Sequence, residues 1–122
     1  MGRKILIADD ESHILNVLLL KLRHAGFDVV SASDGGEALE SARRERPDLL
    51  ITDYHMPVLT GVEVCQRLRE DAAWKVPAIL LTARGNELTA EELVSGGIVD
   101  VINKPFSPRH VLTIVSKHLD AA

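Results

Sequence analysis

Lys4-Ile5-Leu6-Ile7-Ala8-Asp9-Asp10-Glu11 is the stretch that decides the fold. A short apolar run closed abruptly by three acids suits a β-strand covered on both faces of a parallel sheet. Similar runs recur at residues 49–52 (LLIT) and 78–81 (AILL). Weaker ones lie at 29–31 and 99–102. Between them the apolar residues change to helical spacing. Ile14, Leu15, Leu18, Leu19 and Leu22 form one face of a first helix that ends near Gly26. Ala38, Leu39 and Ala42 mark a second, followed by Pro47. Val64, Cys65 and Leu68 mark a third. Leu88, Leu93 and Val94 mark a short fourth that runs into Gly96-Gly97, and Val111, Leu112, Val115 and Leu119 a fifth.

Start signals agree with these helices. Thr60…Glu63 and Thr89…Glu92 have capping-box spacing, and Asp34…Glu37 is an Asp-led version. Ser107-Pro108 offers a capping hydroxyl before a proline at the first helical position. The expected fold is therefore α/β: a (βα)5 doubly wound parallel five-stranded sheet with the flavodoxin-like strand order 2-1-3-4-5.

A length of 122 residues fits one domain of ordinary size, so residues 1–122 are read as a single domain with nothing after the fifth helix. Hydrophobic residues at 46% and charged residues at 26% exclude a disordered tail. Cys65 is the only cysteine, which excludes an internal disulfide and a Cys-based zinc site. A net charge of −4 and the scarcity of aromatic residues, 3% of the chain, argue against direct nucleic-acid binding. No apolar run approaches the ~20 residues of a membrane span, and no secretory signal opens the chain. Met1-Gly2 lacks the downstream hydroxyl of a myristoylation signal, since Leu6 occupies that place. The expected location is the cytoplasm.

In a doubly wound sheet the site lies beyond the carboxyl ends of the strands. Asp9, Asp10 and Glu11 follow the first strand, Asp53 the third, Thr82 the fourth and Lys104 the fifth. Singly, Asp9 could cap a helix, Thr82 could close a turn and Lys104 could be a solvated lysine. Together they make a site. Crowded carboxylates repel and call for a proton or a cation, and an oxygen-liganded Mg²⁺ fits where no histidine pair favours zinc. A cation, an ammonium and a hydroxyl around one point suit charge on phosphoryl oxygens, with Asp53 as candidate nucleophile.

Asp9-Asp10, the run from Asp53 through Met56-Pro57 to Gly61, Leu81-Thr82-Ala83 and Asn103-Lys104-Pro105-Phe106 resemble the receiver domains of two-component response regulators, the chemotaxis-regulator-like family. The resemblance runs from Arg3 to about Leu119. It implies that Asp53 accepts phosphate from a histidine kinase or a histidine phosphotransfer protein. Asp10 and Asp53 then ligate Mg²⁺, Asp9 acts mainly through water, and His55 offers its backbone carbonyl. Thr82 and Lys104 engage the phosphoryl group, and the Lys104-Pro105 bond is cis. Such domains are phosphoacceptors rather than turnover enzymes, although they carry self-phosphorylation and self-dephosphorylation chemistry. Their fourth helix, fifth strand and fifth helix face a downstream protein or an output domain, and weak homodimers also occur.

His55 and Arg84, two residues beyond Asp53 and Thr82, occupy positions that tune phosphoryl lifetime in this family. Phe106 is read as a core anchor, and Trp74 and Tyr54 as residues of the sheet edge or loops. His13 and His24 are read as flanking the first helix, and His110 and His118 as exposed or boundary positions of the last. A flavin carrier needs a first loop of small donors rather than acids, no P-loop motif exists, and a haloacid-dehalogenase-type phosphatase expects alternating aspartates. The remaining alternative is a pseudo-receiver, a protein-interaction module that takes no phosphate. One departure stands out: Val101 occupies the place of the family's rotamer-switching Tyr or Phe. A β-branched side chain is restricted at χ1 and has no ring to bury, so Thr-to-aromatic coupling is expected to be absent or altered. NMR with and without a phosphoryl mimic tests this: graded, non-cooperative shifts in the fourth helix and fifth strand are expected, and large cooperative ones there refute it.

Overall fold

A computed structural model of the chain describes residues 2–83 and 88–119. Strands and helices alternate as β1 (Lys4–Ala8), α1 (Ser12–His24), β2 (Asp28–Ala32), α2 (Gly35–Glu45), β3 (Leu49–Asp53), α3 (Gly61–Leu68), β4 (Ala78–Thr82), α4 (Ala90–Gly96), β5 (Ile98–Asn103) and α5 (Pro108–His118). All strand pairs are parallel, in the order β2-β1-β3-β4-β5. That is the order expected from the sequence. Every residue of β3 and β4 is buried, which is why their apolar runs are continuous. The edge strands β2 and β5 expose some residues, which diluted their pattern.

Alternation along the strands divides the core in two. Ile5, Ile7, Ile51, Ile79 and Leu81 meet Leu18 and Leu22 of α1 and Val111 and Val115 of α5 on one face. Leu6, Leu50 and Leu80 meet Ala38 and Ala42 of α2 and Val64 and Leu68 of α3 on the other. Each fully buried Leu or Ile contributes about 1.5–3 kcal/mol relative to exposure. Trp74 is buried in the second of these clusters, and Phe106 is half-buried against the first. Cys65, also buried, has its thiol pushed up to about 12 by desolvation.

Each expected cap forms. The Asp34 carboxylate accepts from Glu37 N at 2.7 Å, and the Ser107 hydroxyl from His110 N at 3.1 Å. Thr60 with Glu63 and Thr89 with Glu92 complete reciprocal capping boxes. The fourth helix departs from the sequence reading. It starts after the Thr89 cap, so Leu88 precedes it, and Val94 points outward with 77% of its surface exposed. Seven residues leave room for little more than Leu93 to face inward. Gly96 closes the helix against α3, where an added Cβ would lie 3.2 Å from that of Cys65. Val101 of β5 is half-buried against the same cluster. His118 is half-buried, a boundary position of α5, with its Nε2 2.6 Å from Asp100 Oδ2.

The β3–α3 connection carries local strain. Val58 has φ +77° and is 77% exposed, and Leu59 N donates to Pro57 O at 2.9 Å across it. This is a tight three-residue turn in a conformation that β-branched residues avoid. Such strain costs about 1–3 kcal/mol, and glycine returns about 0.5–1 kcal/mol of chain entropy. Val58→Gly is therefore expected to stabilise the fold by about 1 kcal/mol in urea unfolding. A variant less stable than wild type would show that the turn carries no strain.

Candidate functional site

The carboxyl ends of the strands bring the site together. Parallel pairing sets Ala8 opposite Thr52, so the next residues, Asp9 and Asp53, emerge side by side from β1 and β3. Asp9 is fully buried; its N–H donates to Ala32 O at 3.1 Å and its carboxylate accepts from Glu11 N at 2.9 Å. Asp53, the last residue of β3, is 5% exposed. Beyond it, Tyr54 N donates to Leu81 O and Gly61 N to Tyr54 O. A Cβ at residue 61 would collide with the Asp53 carbonyl oxygen, so glycine is what allows α3 to start there. Asp10 is exposed at the mouth.

Carboxylate oxygens of Asp9, Asp10 and Asp53 all lie within 4.8 Å of one another. Thr82 ends β4 and is buried. Lys104 N donates to its carbonyl at 2.8 Å, which brings the lysine to the same rim. The Lys104-Pro105 peptide is cis. Lys104 Nζ stands 3.2 Å from Asp53 Oδ1, 3.2 Å from Glu11 Oε1 and 3.5 Å from Asp9 Oδ2. His55 is exposed, its ring centroid 4.7 Å from that of Tyr54. With Asp10, Glu11, Asp53, Ala83 and Lys104 it lines an open cavity of about 390 Å³.

Electrostatics follow from this crowding. Burial, and then the charge of Asp9, push Asp53 up to about 6 despite Lys104. Burial likewise raises Asp9, against the hydrogen bond from Glu11 N and the Lys104 charge. Lys104 loses solvation, yet the Asp53 and Asp9 carboxylates outweigh that and hold its pKa above the ordinary lysine value. Among the described residues, three aspartates face one ammonium, which leaves negative charge uncompensated there. A hard, oxygen-seeking divalent cation fits that donor set.

Of the residues singled out in sequence, Asp9, Asp10, Asp53 and Lys104 converge, Thr82 stands at the end of the neighbouring strand, and His55 stands at the rim. Arg84 lies outside the described residues. His13, His24 and His110 are exposed. Sequence reasoning gave no role to Glu11 as a partner of Lys104. The two are 93 residues apart, and only the topology joins them.

The model of the response regulator receiver domain matches residues 5–116. The chain belongs to this family. Receiver domains similar to it include Vibrio cholerae CheY4, 32% identical, with a TM-score of 0.89 over 98% of this chain and 100% of that one. Thermotoga maritima TrrA, solved in complex with Mg²⁺ and BeF, is 29% identical, with a TM-score of 0.84 over 96% and 99%. The alkaline phosphatase synthesis regulator PhoP of Bacillus subtilis is 43% identical over 111 residues, 91% of this chain but 46% of the regulator. The chain spans about half the length of the curated relatives it matches.

The raised Asp53 carboxyl of this receiver domain sets a pH dependence. The folded state holds this proton more tightly than the unfolded chain, so the contribution is full below about pH 3.8 and lost as pH rises through about 6. Ionised Asp53 then costs the metal-free fold about 1–3 kcal/mol. Asp53→Asn removes the charge while Asp9 and Glu11 still pair Lys104. In EDTA at pH 7.5 its Tm is expected to exceed that of wild type, the gap closing towards pH 4. A lower Tm for the variant at pH 7.5 would contradict the assignment.

Proposed function

We propose that this domain takes a phosphoryl group from a phosphohistidine donor onto Asp53 and signals through a phosphorylation-dependent change of its surface. The observation that carries the reading is the convergence of Asp53, buried at the end of β3, with two further aspartates and a single lysine. An Asp53 carboxylate oxygen attacks phosphorus as the P–N bond of the donor breaks, and that bond's electron pair returns to the imidazole nitrogen. An acyl phosphate remains on Asp53. Lys104 pairs with one phosphoryl oxygen, and the Thr82 hydroxyl donates to another. Asp10 and Asp53, with the His55 backbone carbonyl and Asp9 through water, would hold Mg²⁺, which neutralises phosphoryl charge when bound. Attack of water on phosphorus returns Asp53 and inorganic phosphate, and in this reading the residues at positions 55 and 84, His55 and Arg84, tune how fast that happens.

The reading includes self-phosphorylation from small donors, a histidine kinase or phosphotransfer protein as donor partner, and a cytoplasmic location. Among the described residues no helix is long and apolar enough to cross a membrane. The α4–β5–α5 side, where Val94 and Val99 are exposed, is the proposed surface for a downstream protein or an output domain, and for weak self-association. Residues 1–122 act as one receiver unit in this reading, with no direct nucleic-acid contact.

Intact mass after incubation with Mg²⁺ and acetyl phosphate tests the central claim. Wild type is expected to gain one phosphoryl group, while EDTA or Asp53→Asn abolishes the gain. Mg²⁺ alone is expected to raise the wild-type Tm through preferential binding to the fold. A wild-type protein that gains no mass and binds neither Mg²⁺ nor beryllofluoride would instead be a pseudo-receiver.

A further inference from the structure

We infer that Glu11 is a positioning residue for Lys104, drawing the ammonium towards the mouth of the site and so leaving Asp9 and Asp53 freer to hold a cation. The inference rests on the receiver reading of the site and adds a residue to it. An ammonium has three donors, and those of Lys104 face three carboxylates: Asp53 and Glu11 at 3.2 Å each and Asp9 at 3.5 Å. The first and last are buried, whereas the Glu11 side chain is 59% exposed. Among the described residues Glu11 is thus the one partner on the solvent side, and its pull opposes that of the two buried acids.

Geometry gives the pair a second role. Glu11, Ala83 and Lys104 line both the acidic cavity over Asp53 and a neighbouring apolar groove walled by His13, Val17 and Phe106. The Glu11–Lys104 contact is the polar partition between the two. Among the described residues a lysine released from Glu11 has Asp9 and Asp53 left to pair with, and it then competes directly with a divalent ion for their oxygens.

A cycle of Mg²⁺ affinities by titration calorimetry tests this on wild type, Glu11→Gln, Lys104→Met and the double variant, with thermal melts to confirm folding. Glu11→Gln is expected to weaken Mg²⁺ binding about two- to fivefold, the range of a partly exposed ion pair. Lys104→Met is expected to tighten it, and adding Glu11→Gln to that background to change it less than about twofold. Glu11→Asp keeps the charge but shortens the reach, and is expected to behave like Glu11→Gln. Equal weakening in both backgrounds, or a Glu11→Asp protein indistinguishable from wild type, would reduce Glu11 to a charge near the site and overturn the inference. An unchanged affinity in Glu11→Gln would overturn it too while leaving the receiver reading intact. Wild type that binds no Mg²⁺ would remove both.

Discussion

Two buried carboxylates that share a single lysine among the described residues are the constraint on which this structure turns. Parallel registry delivers Asp9 and Asp53 to adjoining strand ends, and both enter a region where desolvation favours the neutral form. One lysine, brought in from the last strand, reaches both of them and Glu11 as well. The balance is unfavourable as it stands. A fold selected for stability alone would not keep ionisable groups in this arrangement, whereas a site built to gain a cation and a phosphoryl group depends on it.

The scaffold around that cluster is correspondingly stiff. Central strands buried on both faces fix the heights at which Asp9, Asp53 and Thr82 emerge. The loop after Asp53 is held twice: Gly61 N returns to the Tyr54 carbonyl, and Pro57 O accepts from Gly35 N at the start of α2. Gly35 and Gly61 both sit where a side chain would strike backbone, so each lets two segments approach closely. The tight turn at Val58 lies between these two anchors, and the anchors hold it in a conformation it would not adopt alone.

Most of this was legible in the sequence because the informative signals are local. Continuous apolar runs reported buried central strands, capping pairs reported helix starts, and the polar residue closing each run reported the strand end. The less legible features are long-range or marginal. Edge strands β2 and β5 carry a mixed pattern because one side meets solvent. The fourth helix is too short to display a period, so its pattern takes in Leu88 and Val94, of which one precedes the helix and the other points out. Pairings such as Glu11 with Lys104 and Asp100 with His118 depend on how the elements pack and leave no local trace.

Burial of the lone cysteine has a practical consequence for work on the molecule. Cys65, on α3, is packed against the end of α4, with its thiol held protonated far above neutral pH. Thiolate is the reactive form, so maleimides, iodoacetamide and mild oxidants will find little to attack in the folded state. A cysteine introduced at an exposed position of α4 or α5 can therefore carry a fluorophore or spin label with the native residue left in place. Its signal will come from one position, without the core mutation that a cysteine-free background would require.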